Sequence, residues 1–165
     1  ALHWRASGLS ETVIGLLWAE GVIAEILLFA VGAKVTGRIG PAALLALAGA
    51  AGMLRWGVSA ETTELWVLAI VQLLHAVTFG AAHLAAMAFL TRAVPDALSA
   101  TAQSLYAGMV SGVAFGMAMP LSGWLYGQVG GGAFYLPVAL SLLALLAALA
   151  LHRRWDGGVL LKDTA

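Results

Sequence analysis

The sequence predicts an all-α integral membrane protein, and its composition and apolar run lengths carry that prediction. Hydrophobic residues make up 62% of the 165 residues, against roughly 45–50% in a soluble domain, and charged residues only 10%, against roughly 25%. Apolar stretches of about 20 residues, enough to cross a bilayer core of about 30 Å, recur along the chain. The 8 basic and 8 acidic residues balance, so no basic face for nucleic acid is expected.

Turn signals divide the chain into five expected spans, at residues 12–33, 42–58, 65–90, 100–121 and 134–151. The expected turns are KVTGRIGP at 34–41, SAETTE at 59–64, TRAVPDALSAT at 91–101, where Ser99 or Thr101 could cap the next helix, and YGQVGGG at 126–132. Residues 1–10 carry the amphipathic group from Leu2 to Arg5 and are interpreted as the end of a preceding helix. Residues 1–165 are therefore interpreted as the C-terminal six-helix half of a twelve-helix transporter whose N-terminal half is missing.

The distribution of basic residues predicts an orientation in a bacterial inner membrane. If the five spans alternate, one side collects most of the basic residues: Lys34, Arg38, Arg92, Arg153, Arg154 and Lys162. The positive-inside rule assigns that side to the cytoplasm, together with the C-terminus. Residues 59–64 and 126–132 are then expected outside.

The stretch VQLLHAVTFGAAHLAAM, residues 71–87, carries polar groups at helical spacing inside an apolar span. Gln72, His75, Phe79 and His83 fall within an arc of about 80° on one side of a helix. Ionisable residues at bilayer depth are costly and usually functional, so this face is interpreted as a transport pathway. The alternative is that both histidines only hydrogen-bond neighbouring helices.

Three further charged residues are candidates for function. Glu20 and Glu25 lie in the first span, about 7.5 Å and 140° apart on a helix, so they cannot share one narrow face. At least one is expected to have a distinct role, and the other could be paired for packing alone. Arg55, beside Trp56, could extend to the interface or point inward to hold an anion.

The fourth span has two different sides. Gln103, Tyr106 and Val110 share one side, which is expected to face the same region as the residue 71–87 helix. Gly108, Gly112 and Gly116 share the opposite side, where small residues allow another helix to approach closely.

Several short motifs occur together in a definite order: Leu17-Trp18, Gly21-Val22, Ala24-Glu25, Arg55-Trp56, Gln72, Leu74-His75, Thr78-Phe79, His83 to Met87, Gln103 and Tyr106. Their order and spacing resemble the C-terminal half of the major facilitator superfamily, most nearly the phenylpropionate-permease-like branch near the lactose permease family. The resemblance covers almost the whole chain.

The resemblance implies roles for individual residues. In the lactose permease family an arginine on the ninth helix and a histidine on the tenth belong to the substrate and proton machinery, and Arg55 and His75 match them. That family has a lysine three residues before the histidine and a glutamate three after it, where this sequence has Gln72 and Thr78. Proton coupling here would fall to Glu25 or Glu20, and Glu25 belongs to the shared motif.

The leading hypothesis is a proton-coupled symporter of a small organic acid such as an aromatic carboxylate. Its expected substrate and proton pathway comprises Glu25, Glu20, Arg55, Gln72, His75, Phe79, His83, Gln103 and Tyr106. Its expected partners are the substrate, protons, the lipid bilayer and the missing N-terminal half. Two alternatives stay open, a sugar or nucleoside symporter of the same superfamily and a membrane scaffold without transport.

An intramembrane enzyme is not expected, because the sequence has no HExxH and no GxSxG motif. His75 and His83, about 12 Å apart, are too distant to share one zinc ion directly. No cofactor and no metal site is expected, and the lack of cysteine excludes thiolate ligands.

Overall fold

The computed structural model describes residues 1–160, and every regular element in that part is helical. The elements are α1 (Leu2–Ala6), α2 (Glu11–Ala30), α3 (Gly32–Arg38), α4 (Pro41–Glu61), α5 (Leu65–Leu73), a π-helical segment (Ala76–Ala81), α6 (Ala82–Ala93), α7 (Asp96–Ala107), a second π-helical segment (Gly108–Ala114), α8 (Phe115–Val129), a 3-10 helix (Gly130–Phe134) and α9 (Tyr135–Arg154). Lys162, counted above with the basic side, lies outside the described residues.

Four helical runs are long and apolar enough to cross a membrane: Glu11–Ala30, Pro41–Glu61, Leu65–Ala93 and Asp96–Arg154. The third run is here called the central helix; it comprises α5, the first π-helical segment and α6. The fourth run has 59 residues, which would measure roughly 90 Å as one straight helix, about three times the bilayer core. It breaks at Gly130, whose φ of 55° ends α8. The prediction of an all-α membrane fold is confirmed.

The breaks between helices are shorter than the sequence suggested. Residues 34–38, expected in a turn, belong to α3, and the break falls on Ile39 and Gly40, because a residue before proline is disfavoured in the helical region. Pro41 then starts α4, where a missing N–H costs nothing. Ser99 and Thr101 cap no helix, since α7 already begins at Asp96.

The run from α7 to α8 continues past residue 121, the end expected for the fourth span, and reaches Val129. Pro120 lies inside it without ending it. Backbone groups in a bilayer have no water to bond, so a helix that loses one hydrogen bond at proline is still favoured over an unfolded segment.

Close packing between helices depends on glycines. A methyl group at Gly49 of α4 would lie 2.8 Å from the Leu145 backbone nitrogen of α9. A methyl group at Gly21 of α2 would lie 3.1 Å from the His75 Cβ atom of the central helix. These contacts bring α4 against α9 and α2 against the central helix.

The side of the fourth span that carries Gly108, Gly112 and Gly116 is not covered by another helix of residues 1–160. A methyl group at Gly108, Gly112 or Gly116 would have no atom of the described residues within 4 Å beyond the helix's own backbone. No helix of residues 1–160 packs on these glycines, so the prediction that another helix approaches them stays a prediction. The helices α7 and α8 have no buried residue and leave that face open.

The segments that connect the helices lie at two ends of the bundle. At one end, Arg92 donates a hydrogen bond to the Thr36 carbonyl oxygen at 3.3 Å, which joins α6 to α3. At the other end, the rings of His3 and Phe134 meet edge-on at 5.3 Å, which joins α1 to the segment before α9. Expected cytoplasmic and expected external segments thus lie at opposite ends.

Candidate functional site

A cavity of about 810 Å³ lies between α2, the central helix and the α7–α8 run. This size falls in the range of small-molecule sites. It is lined by Glu25, Phe29, Thr78, Phe79, Ala82, His83, Met87, Gln103, Tyr106, Ala107, Val110, Ser111 and Phe115. We call it the polar cavity.

Five of the nine residues predicted for the pathway line the polar cavity: Glu25, Phe79, His83, Gln103 and Tyr106. They come from three different helical runs, so the fold brings together side chains that are up to 81 positions apart in sequence. The other four residues divide into two groups. Arg55 and Gln72 are buried and, with the half-buried His75, lie behind the cavity wall, whereas Glu20 lies apart from both groups.

Glu25 and His75 form a pair at the edge of the polar cavity. The Glu25 Oε2 atom lies 3.3 Å from His75 Nε2, and the two side chains are 13% and 26% exposed. The His75 ring stacks on Phe79, with centroids 5.5 Å apart and planes 9° apart. Gly80 leaves room for this pair, since a methyl group there would lie 3.1 Å from Glu25 Cγ.

Arg55 lies inside the bundle and not at the interface. Its side chain is buried and donates from Nη1 to Thr78 Oγ1 at 3.0 Å and from Nη2 to Gln72 Oε1 at 3.1 Å. Gln72 in turn donates to the Leu17 carbonyl oxygen at 3.3 Å. These bonds link α4, the central helix and α2. The guanidinium also lies 4.7 Å from the Trp56 ring centroid.

The two positions at which the sequence departs from the lactose permease pattern are both acceptors for Arg55. Gln72 and Thr78 are neutral, so they bind the arginine without supplying a charge. Within residues 1–160, Arg55 has no ion pair with a carboxylate and its Nε atom has no hydrogen-bond partner. Its positive charge therefore lies uncompensated behind the wall at Thr78.

Glu20 is half-buried and takes part in no ion pair within the described residues. The buried side of α2 carries Leu17 and Gly21. Glu20 and Glu25 flank that side in opposite directions, about 140° apart, and only Glu25 turns towards the polar cavity. The structure therefore separates the two carboxylates.

Aromatic rings surround His83. Its ring centroid lies 6.1 Å from that of Phe29 and 6.4 Å from that of Tyr106. Gln103, one turn before Tyr106, donates a hydrogen bond to Ser99 at 3.1 Å and keeps its carbonyl oxygen free of side-chain donors among residues 1–160. No group of three His, Asp or Glu residues in this part of the chain is arranged to hold a metal ion.

Sequence reasoning missed Phe29, Ser111 and Phe115 on the cavity wall, and both π-helical segments. Phe29 follows Glu25 by four residues, a spacing that places both on one side of α2 and could have found it. The π-helical segments lie at Ala76–Ala81 and Gly108–Ala114, on the two runs that face each other across the cavity. Such segments occur often at functional sites.

Comparison with known proteins identifies the family. Residues 1–136, which include every candidate site residue, match the model of the MFS_1 like family. The chain is 33% identical over 145 residues to a probable 3-phenylpropionic acid transporter of Escherichia coli (strain K12), a match that covers 88% of this chain and 38% of that protein. It is 27% identical over 136 residues to the uncharacterized transporter YwbF of Bacillus subtilis (strain 168), with 82% and 34% covered.

No solved structure matches the chain. The chain spans between 34% and 38% of the length of the two relatives. Its helical runs make it a multi-pass membrane protein. It belongs to the MFS_1-like family of the major facilitator superfamily, a family of transporters and not of enzymes.

Proposed function

We propose that residues 1–165 form the C-terminal half of a proton-coupled symporter that carries a small organic acid with an aromatic ring across the bacterial inner membrane. One observation carries this proposal. Glu25 lines the polar cavity and its carboxylate also lies 3.3 Å from His75 Nε2. A carboxyl and an imidazole in contact at bilayer depth, open to a substrate-sized space, can exchange a proton in step with substrate binding.

The lining of the polar cavity supports an aromatic substrate. Phe29, Phe79, Tyr106 and Phe115 supply four rings to one space. Aromatic side chains gain from offset-stacked and edge-on contacts with a substrate ring. The relative from Escherichia coli is named a probable transporter of 3-phenylpropionic acid, a molecule that has both a ring and a carboxylate.

Proton coupling can act through the contact between Glu25 and His75. When Glu25 holds a proton it loses its charge, and its attraction for His75 weakens. When it releases the proton, the carboxylate again attracts the imidazole. A substrate in the polar cavity touches the wall to which both side chains belong, so its presence can favour one of the two arrangements.

The rest of the transporter supplies the other side of the pathway. Alternating access requires two bundles that move against each other around a site near the membrane midplane. The polar cavity is bordered by only one such bundle, so residues 1–165 alone are not expected to transport. The excess of basic residues at one end of the bundle supports a cytoplasmic C-terminus.

The clustering of polar side chains supports a transporter over a scaffold. A scaffold would use polar groups to join helices and would distribute them over several faces. Here five predicted pathway residues surround one space, and three more lie directly behind its wall.

The test uses the intact transporter in liposomes, with labelled 3-phenylpropionate. Glu25→Gln keeps the shape of the side chain and removes its titration. The variant should exchange substrate across the membrane at a rate close to that of the wild type, but a pH gradient should no longer drive uphill accumulation. Uptake of sugars and nucleosides under the same gradient tests the other substrate classes.

Glu20→Gln is the matched comparison, since it makes the same change on the same helix at a position off the cavity wall, and it should reduce accumulation less. Uphill accumulation at the wild-type level in Glu25→Gln would exclude Glu25 as the proton carrier. Parallel loss of expression, exchange and accumulation would show that the Glu25–His75 pair serves packing alone.

A further inference from the structure

We propose that His83 binds the carboxylate of the substrate and so fixes the direction in which the substrate lies in the polar cavity. This inference rests on the proposed function, because it assigns one end of the same site. It differs from the role that the family resemblance suggests for Arg55, and it follows from which hydrogen-bond donors reach the cavity.

Arg55 is not available to a substrate. It does not line the polar cavity, it is only 9% exposed, and Nη1 and Nη2 already donate to Thr78 and Gln72. Thr78 itself occupies the cavity wall in front of the arginine. A substrate carboxylate that approached Arg55 from the cavity would first have to displace Thr78, and the Thr78 hydroxyl would then lose its arginine donor.

His83 is the basic side chain on the cavity wall, which carries no lysine or arginine among the described residues. Neither of its ring nitrogens has a hydrogen-bond partner within residues 1–160. A neutral imidazole still donates one N–H, and a protonated one donates two and adds a positive charge. A carboxylate accepts from either form, and charge-assisted hydrogen bonds are among the stronger ones.

The residues around His83 can contribute to binding an anion at this end of the polar cavity. The Tyr106 ring lies 6.4 Å from the His83 ring, and its hydroxyl can donate to the same carboxylate. The Phe29 ring lies 6.1 Å from the His83 ring and adds an apolar neighbour to this end of the cavity. The imidazole thus lies near two rings, and its exposed side chain leaves its nitrogens available to a ligand.

The reverse orientation of the substrate, with its carboxylate beside Glu25, is unfavourable. Glu25 is the carboxylate on the wall, and it pairs with His75, which precedes His83 by eight residues or about 12 Å along a helix. A substrate anion placed beside Glu25 would meet a like charge. With its carboxylate at His83, the substrate directs its ring to Phe79, which stacks on His75. The substrate ring would then contact Phe79, which stacks on the His75 member of the Glu25–His75 pair.

The experiment compares an acid with its uncharged amide. Dissociation constants of 3-phenylpropionate and 3-phenylpropionamide are measured by titration calorimetry on the purified intact transporter. Wild type should prefer the acid. His83→Gln should weaken acid binding at least about tenfold, equivalent to about 1.4 kcal/mol, and change amide binding less than about twofold. His83→Phe keeps a ring near Phe29 and Tyr106, removes both nitrogens, and should show the same selective loss.

His152→Gln makes the same substitution at an exposed position in the last turn of α9 and should leave both constants unchanged. If acid and amide binding weaken equally in both His83 variants, His83 shapes the cavity without recognising the anion, and the inference is overturned. The same holds if neither constant changes. Failure of the wild type to bind the acid at all would instead overturn the proposed function, and with it this inference.

Discussion

At the scale of single residues, Arg55 organises the buried layer behind the polar cavity. Its planar guanidinium donates to Gln72 and Thr78 at the same time, and these two acceptors lie almost two turns apart on the central helix. Gln72 in turn donates a hydrogen bond to the backbone of α2. One side chain on α4 therefore fixes the angle at which two other helices meet.

Arg55→Lys should separate the charge of this residue from its geometry. An ammonium group keeps the positive charge but cannot bond both acceptors in the arrangement seen here. Polar contacts between membrane helices contribute on the order of 0.6 kcal/mol each and at most about 1.7 kcal/mol. We expect a loss of about 1–2 kcal/mol in stability, seen as a lower unfolding temperature of the intact transporter, and slower substrate exchange.

Arg154→Lys is the control, because Arg154 is exposed at the end of α9. An unfolding temperature for Arg55→Lys equal to that of this control would mean that charge alone, and not the bidentate geometry, is required at position 55.

At the scale of elements, α4 and α9 approach so closely that backbone lies against backbone. A methyl group at Gly49 would lie 2.8 Å from the Leu145 nitrogen and 3.0 Å from the Leu145 Cα atom. Backbone cannot move aside as the end of a flexible side chain can. This pair of helices carries no site residue on its contact face, yet α4 holds Arg55 in place.

Gly49→Ala should therefore force α4 and α9 apart and destabilise the intact transporter by about 1–3 kcal/mol, as overpacking does. Gly57→Ala on the same helix is the matched control. Among residues 1–160, no atom beyond the helix's own backbone lies within 4 Å of a methyl group at that position, so the change should be neutral or slightly stabilising. Thermal unfolding of both variants measures the difference, and equal unfolding temperatures would show that the two helices have room to adjust.

Helical periodicity predicted that Gln72, His75, Phe79 and His83 share one side of the central helix, because one face is polar within an apolar span. It could not predict that Gln72 would bond Arg55 while Phe79 and His83 reach the cavity, since that division depends on how α4 packs. The helical angle separates Glu20 from Glu25, but only the packing of α2 shows which carboxylate meets the central helix, through the Glu25–His75 contact and the room left at Gly80. The π-helical segments left no signal in the pattern of apolar residues.

The helix ends were harder to predict than the helices. Glycine, threonine and proline near positions 34–41 and 120 are breakers in water, whereas a bilayer penalises unpaired backbone groups. Helices therefore extend through Thr36 and Pro120. The break at Ile39 and Gly40 follows a rule that holds in any solvent, the steric effect of Pro41 on the residue before it.

At the scale of the whole molecule, the two ends of the bundle differ in charge. Arg92 and Thr36 meet at one end, and His3 and Phe134 meet at the other. The basic residues Lys34, Arg38, Arg153 and Arg154 all belong to segments at the first end. The positive-inside rule then predicts that the Arg92 end faces the cytoplasm.

Cysteine labelling tests that orientation, and this chain has no cysteine of its own. Gly37→Cys and Glu64→Cys are placed singly at exposed positions of opposite ends, in a transporter whose other cysteines have been replaced. A membrane-impermeant maleimide added to intact cells should label position 64 and should label position 37 only after the cells are opened. The reverse pattern would invert the topology, and equal labelling of both in intact cells would contradict a single orientation.

The break at Gly130 also bears on how the protein enters its membrane. Two long helical stretches, α7–α8 and α9, follow each other across this break and are here called the hairpin for their order along the chain; no Asp, Glu, Lys or Arg occurs between Asp96 and Arg153. All the charges of this hairpin therefore stay at its open end while its glycine-rich tip crosses the bilayer. Moving a charged side chain through the centre of the membrane costs roughly 2.5–3.5 kcal/mol on insertion scales. The hairpin can therefore be inserted during synthesis as one unit without moving a charged side chain through the bilayer. Both of its charged ends then stay on the side of the membrane where synthesis takes place.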